Sequence, residues 1–293
     1  MPVNAAKRRS FRTGAATERP ICGRRAAREA VHANGDAQPR SSWDYCDRRD
    51  EFLSWAKAAG AATRLLNSPE TLRWNTDKAY LLDLASAGVP VVPSRMAGDP
   101  TELRAAAAGF SGRVVVKPCV GVGGQGVVVF DSADAVTAET LGLGPWMVQP
   151  VVEYIRTEGE TSVFVLGGRP VGQVRKLATG DEIRVHEEYG GRTDKVGLDA
   201  EAARIATATV TIVQRLLSTD LTYARVDLMR LPDDTLAVSE LEVTEPGLYL
   251  DVAPEHAEPL CATVTQQIYA AGLAARSGPS GVARRSAVCG TIT

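Results

Sequence analysis

The chain has 293 residues, of which 44% are hydrophobic, and a formal net charge of −2. That length suits one large domain or two medium ones, and so small a charge gives no general attraction to nucleic acid or to a membrane surface. No apolar run approaches the roughly 20 residues that cross a bilayer, and the five cysteines, scattered and without a C-x-x-C pair, suit free thiols in a reducing cytoplasm.

Residues 1–41 mix Lys7, Arg8, Arg9, Arg12 and further arginines with Ala, Gly and Pro, and hold neither helical nor strand periodicity. They read as a disordered or mis-started leader, with no apolar core of a secretory signal. Pattern begins at Trp43. Phe52, Leu53 and Trp55 predict a helix that starts after Asp47. Residues 64–69 are expected to form a short strand running into a turn. Asn75 or Thr76 is expected to cap a helix reaching about Ala87, with Lys78 in its first turn. A cation there opposes the helix dipole unless an anion is meant to sit beside it. Residues 89–92 then predict a strand and residues 101–108 a helix.

Val114-Val115-Val116 carries Lys117 to the end of an apolar run, and Gly121, Gly123, Gly124, Gln125 and Gly126 follow before a second run at residues 127–130. Glycines let backbone N–H groups crowd an anion and leave a loop free to close over it. The lysine precedes the glycines and no Gly-Lys-Ser/Thr follows, so this is not a P-loop. A plain hairpin connection would look the same in isolation.

Asp131 or Ser132 is expected to cap a short helix, and Trp146-Met147-Val148-Gln149 is a strand ending at Pro150. Residues 161–166 and 170–175 predict an antiparallel pair around Gly167-Gly168, and residues 199–217 a long helix. Strands at 222–231 and 235–243 are joined by Pro232-Asp233-Asp234, and a last helix spans about 254–270. Residues 274–293 read as a flexible tail. This alternation is α+β with mixed sheets. The three histidines, His32, His186 and His256, lie far apart and predict surface or loop positions.

On the late hairpin, alternation puts Arg225 and Asp227 on one face, and Glu240 and Glu242 on one face of the returning strand. A turn centred on Asp233 and Asp234 sets Asp227 opposite Glu240 and Arg225 opposite Glu242. Like charges directly across a sheet destabilise it. One resolution is a solvated outer face. The other is a Mg²⁺ site, since Mg²⁺ takes one or two carboxylates together with substrate phosphates. Arg225 would then hold a phosphoryl group during transfer, and Glu245 could add a ligand from the turn beyond.

Taken in order, Asn75-Thr76-Asp77-Lys78, Val116-Lys117-Pro118 with its glycine loop, Met147-Val148-Gln149-Pro150-Val151-Val152-Glu153, Val174-Arg175-Lys176, residues 184–191, Arg225-Val226-Asp227 and Glu240-Leu241-Glu242 resemble an ATP-grasp enzyme of the glutathione synthetase and ribosomal-protein glutamate ligase branch. The resemblance spans residues 43–269. Ser42-Trp43-Asp44-Tyr45 and residues 182–191 look most like the O-ureido-serine cyclo-ligase type of cycloserine biosynthesis.

The resemblance implies two α+β subdomains gripping ATP between mixed and antiparallel sheets, at residues 75–149 (lid) and 150–273 (catalytic). Residues 42–74 would be the remnant of a truncated or divergent N-terminal substrate domain. It implies ATP and Mg²⁺ as cofactors. Lys78 and Lys117 would contact the phosphates, with Gly121, Gly123, Gly124, Gln125 and Gly126 as the lid, and the backbone of Gln149, Pro150, Val151 and Val152 would read the adenine edge. Glu160 would serve as a ribose or hinge-side carboxylate. Lys176, Arg184 and Arg225 would act at the reacting phosphate and substrate, and Asp227, Glu240, Glu242 and Glu245 would hold the metal.

The function implied is a carboxylate–amine ligase that passes through an acyl phosphate on a small amino-acid-like substrate, with an intramolecular cyclisation as one form. Similar families suggest a homodimer in the cytoplasm. Two other readings use the same residues: an ATP-binding protein without ligase activity, and a ligase that adds an amino acid to a polypeptide. Val243-Thr244-Glu245 departs from the asparagine usual after the metal glutamate, and residues 1–41 lack the strands of the usual N-terminal domain.

Overall fold

The computed structural model describes residues 43–276, so the expectations for the leader and for residues 277–293 lie outside the described residues. A short 3-10 turn at Trp43–Cys46 leads into α1 (Arg49–Ala62). Asp50 and Glu51 sit in its first turn, where negative charge complements the helix dipole. Phe52, Ala56 and Ala59, spaced for one helical face, are buried. The expected strand at residues 64–69 is reduced to a single bridge residue, Leu65. Instead the Ser68 side chain accepts a hydrogen bond from Thr71 N–H and, with Pro69 at the first helical position, starts α2 (Pro69–Asn75). Asn75 therefore ends a helix rather than capping one. The next helix, α3, covers Tyr80–Ser86, and Lys78 lies in the turn before it instead of in its first turn.

Two antiparallel sheets follow. The first has the order β1-β4-β2-β3, from Arg95–Ala97 (β1), Val114–Pro118 (β2), Val128–Phe130 (β3) and Trp146–Pro150 (β4). Helix α4 (Pro100–Ala107), capped by Asp99, packs Leu103, Ala106 and Ala107 on it with Val114, Val116 and Val148. The second has the order β7-β6-β5-β8-β9, from Glu160–Leu166 (β5), Arg169–Leu177 (β6), Arg192–Val196 (β7), Tyr223–Arg230 (β8) and Leu236–Glu242 (β9). Its back is covered by α5 (Ala200–Leu217), which buries Ile205, Ala206, Val210 and Val213 against Val163, Val165, Ala224, Val226 and Leu228. Alternation along β5 and β8 then sends Glu160, Ser162, Phe164, Arg225 and Asp227 to the opposite face. The last helix, α6, covers Ala257–Arg276, running beyond the expected end near residue 270.

The edge strand β9 is not left open. Val92 N–H donates to Val238 O (2.9 Å) and Val238 N–H to Pro90 O (2.8 Å). The expected strand at residues 89–92 is thus one parallel bridge, Val91 to Val238. Farther along, Leu241 N–H donates to the Tyr80 hydroxyl (2.9 Å) and Val243 N–H to Asn75 Oδ1 (3.0 Å), while Asn75 Nδ2 donates to Leu241 O (2.7 Å). Asn67 Nδ2 donates to Val243 O (2.7 Å) and to Tyr223 O (3.0 Å). Side chains from α2 and α3 thereby satisfy the backbone of a strand that would otherwise offer its edge to another chain.

One histidine expectation is corrected. His256 is buried, its ring 4.5 Å from that of Phe164 and its Nδ1 3.2 Å from Leu248 O. Gly172 makes room for it, since a Cβ there would stand 2.0 Å from His256 Nε2.

Candidate active site

The charged face of the second sheet is buried at Arg225 (6% exposed) and Asp227 (1%) and half-buried at Glu240 and Glu242. The register pairs Asp227 with Glu240 and Arg225 with Glu242, as the hairpin reading expects. Arg225 donates to Asp227 through Nε (2.9 Å) and Nη2 (2.8 Å), and it also contacts Glu242. Ser162, directly across from Asp227 on β5, donates its hydroxyl at 2.6 Å. Lys176 lies between Asp227 (3.1 Å) and Glu160, which also accepts from Ser239 Oγ (2.9 Å). Both Lys176 and Glu160 are nearly removed from water.

Electrostatics follow from this crowding. Burial alone would raise the Asp227 carboxyl, but Arg225 and Lys176 hold it well below the usual range. Burial opposes charge on Lys176, yet Asp227 and Glu160 hold its ammonium firmly protonated. Glu242 is different. Burial, with Asp227 and Glu240 adding repulsion against the help of Arg225, pushes it up to about 7.

Lys78, in the turn before α3, and Lys117, on β2 of the first sheet, both feel the charge of Glu240. Lys78 Nζ pairs with Glu240 (2.9 Å) and donates to Gly121 O (2.8 Å), tying the glycine loop to the acidic hairpin. Its backbone N–H donates to Cys119 O (2.8 Å). Lys117 is half-buried at the end of β2. Burial lowers its pKa, and Glu240 is the foremost charge opposing that shift. Among the described residues no carboxylate lies within ion-pair distance of it. Gly123, Gly124 and Gly126 take φ of +59°, +72° and +69°, a region that glycine alone enters without strain. The first half of the loop is anchored by Val120 and Val122 on the cluster of Tyr45, Phe52, Ala56 and Leu72. Its second half lies against Arg184 and Tyr189.

Asp227, Glu240 and Glu242 are the three side chains, among the described residues, whose ligand atoms all lie within 4.8 Å of one another and could hold a metal. Their hard oxygens suit Mg²⁺, and the raised Glu242 marks the charge that such an ion would relieve. Glu245 is buried on the turn beyond β9 but falls outside that group. Gln149 is buried with Nε2 donating to Ser94 Oγ (2.8 Å), and Val151 N–H is taken by Arg113 O (3.0 Å). Val152 packs with Val92 and Ala237 where the chain passes between the sheets. Glu160 sits inside the Lys176 network, toward the far end of the charged face.

Sequence reasoning missed Ser162, Asn75 and Tyr249. The polar pair Glu160 and Ser162 in an otherwise apolar strand was a signal for the first. Tyr249 has a φ of +49°, unusual for a bulky residue, and its ring lies 5.7 Å from the Arg225 guanidinium.

Residues 86–256 match the model of the prokaryotic glutathione synthetase ATP-grasp domain, which is more than half of the chain. The chain belongs to the ATP-grasp family. It is an ATP- and magnesium-dependent ligase that forms carbon–nitrogen bonds. Residues 36–67 match the N-terminal domain of the D-cycloserine synthetase DcsG. The cycloserine biosynthesis protein DcsG of Streptomyces lavendulae is 29% identical over 233 residues, covering 74% of this chain and 78% of that protein. A crystal structure of D-cycloserine synthetase DcsG superposes with a TM-score of 0.72 at 26% identity, over 82% of this chain and 85% of that one. The glutathione synthetase of Synechococcus elongatus is 29% identical over 174 residues, 57% of this chain, and the ATP-grasp ligase spans only 51% of that relative's length. Among the described residues no helix is long and apolar enough to cross a membrane.

Proposed function

We propose that this ligase activates the carboxylate of a small amino-acid-like substrate and joins it to an amine of the same molecule, closing a ring. The observation that carries the reading is the meeting of Lys78, from the turn before α3, with Glu240 of β9, 2.9 Å apart, where Lys78 also donates to Gly121 O of the glycine loop. A phosphate chain placed there meets two lysines on one side and the carboxylate face on the other. The DcsG likeness, which extends over most of both chains, supports the small cyclising substrate.

In this reading Lys78 and Lys117 hold the phosphates, the Gly121 to Gly126 loop covers them, and residues 149–152 line the base. Asp227, Glu240 and Glu242 would hold magnesium, which when bound neutralises charge on the phosphate oxygens. Glu245 is proposed as a further ligand from the following turn. A carboxylate oxygen of the substrate attacks the γ-phosphorus, the bond to the bridging oxygen breaks, and ADP leaves. The amine nitrogen then attacks the acyl carbon and phosphate departs with the bonding pair. Arg225, Lys176 and Arg184 spread the negative charge that builds during both steps. The protein's own contribution is placement and electrostatics.

The proposal includes action in the cytoplasm, which the free thiols of Cys46, Cys119 and Cys261 suit, and assembly as a homodimer, to be checked by sedimentation velocity. The deciding experiment is an ADP-release assay with MgATP across D- and L-amino acids and O-ureido-serine, with products read by mass spectrometry. Turnover with a free amino acid and a product lighter by water supports the proposal. Turnover only with an added polypeptide, or none with any acid, overturns it.

A further inference from the structure

The segment 178–191, which joins β6 to β7, folds back on itself beside the glycine loop. Thr179 Oγ1 donates to Gly190 O (2.6 Å) and Gly191 N–H to His186 O (3.1 Å). Inside this fold Glu182 takes the Arg184 backbone N–H at 3.0 Å and the Arg184 guanidinium as well. The guanidinium carbon lies 3.5 Å over the centre of the Tyr189 ring, a close cation–π stack. A free arginine side chain would sample many rotamers; this one is held from two sides.

The glycine loop belongs to the other sheet, yet it rests on this pair. A Cβ built on Gly124 would stand 3.3 Å from Arg184 Cδ and 3.3 Å from Tyr189 Cε2, so only a glycine lies there without pushing one of them aside. Gly123 approaches His186 Nε2 to 4.0 Å by the same measure. The two loops therefore touch across the mouth of the cleft, with Arg184 and Tyr189 as the contact.

We propose that Tyr189 is a positioning residue whose ring holds Arg184 at the cleft mouth and gives the glycine loop a surface to close on, so that closure delivers Arg184 to the phosphates. This rests on the nucleotide reading above. The phenol ring does the work through its face, so phenylalanine should replace it and alanine should not.

The test compares Tyr189→Ala and Tyr189→Phe with the parent chain in two measurements: affinity for MgAMPPNP by calorimetry, and subtilisin cutting within residues 119–127 of nucleotide-free protein, mapped by mass spectrometry. Tyr189 is on a surface segment, so both variants should melt with the parent. Expected are about tenfold weaker binding and faster cutting for Tyr189→Ala, and parent behaviour within about twofold for Tyr189→Phe. Parent behaviour in Tyr189→Ala, or equal failure of Tyr189→Phe, overturns the proposal. If the parent itself binds no MgAMPPNP, the nucleotide reading falls, and the cutting rates still decide whether Tyr189 holds the loop.

Discussion

Arg225 grips Asp227 through two hydrogen bonds, from Nε at 2.9 Å and Nη2 at 2.8 Å, with both side chains almost removed from water. Ser162 and Lys176 also donate to that carboxylate, so a metal bound at it would take the place of one of these donors. Asp227 is thus the centre of a buried charge network as well as a metal ligand of the proposed site.

Asp227→Asn should therefore do more than abolish turnover. It leaves Arg225 and Lys176 buried with less than their countercharge, a change that costs about 3–5 kcal/mol where a buried pair loses one member. Urea unfolding should show that loss, and the ADP-release assay should show no activity. A variant as stable as the parent would remove the network as described.

Lys117→Ala should separate binding from stability. Lys117 has no ion pair to lose among the described residues, and burial already disfavours its charge. The melting temperature should hold or rise slightly, while MgATP affinity falls by about tenfold or more, the scale of a lost charge-assisted contact. Calorimetry giving unaltered affinity would make Lys117 merely a residue near the end of a strand.

Glu242 predicts a pH dependence in metal-free protein. Its folded-state carboxyl keeps a proton up to about pH 7, whereas the ordinary value is 4.5, so between these the folded state binds more protons than the unfolded. Stability should then rise as pH is lowered from above 7 toward 4.5, and fall as pH rises through 7. Melts in EDTA from pH 8 to 5 check this, and Glu242→Gln should reduce the slope.

Asn75→Ala should weaken the strand that carries both glutamates. Asn75 Oδ1 accepts from Val243 N–H (3.0 Å) and Thr244 Oγ1 (3.1 Å), and its Nδ2 donates to Leu241 O (2.7 Å). Losing them strands buried backbone groups at a cost of about 2–4 kcal/mol. Chemical denaturation measures it, and magnesium-dependent nucleotide binding should fall with it.

The paired carboxylate hairpin was legible because alternation and a short turn fix which residues share a face. Its register also profits from two offsets that cancel. The ladder near the turn pairs Arg230 with Leu236, one residue away from a turn centred between Asp233 and Asp234, and a bulge after Asp227 restores the expected pairing at the site. Ser239 is the extra residue, and its hydroxyl serves Glu160. Strands β1 and β7 were not legible, being short and rich in Arg, Thr, Asp and Lys rather than β-branched apolar residues. Asn67 and Asn75 escaped for another reason. An asparagine near a helix end looks like a cap, and only tertiary contact shows it bonding to strands more than 150 residues away in sequence.

The outward bonding of β9 has a mechanical result. Pro90 to Val92 clip to Val238 and lead within a few residues into β1, so the two sheets share a stitched seam on that side. A seam of this kind resists hinging of one sheet as a whole against the other. Beside such a seam, the β2–β3 hairpin with its glycines is the part of the first sheet with fewest ties to the strand that carries Glu240.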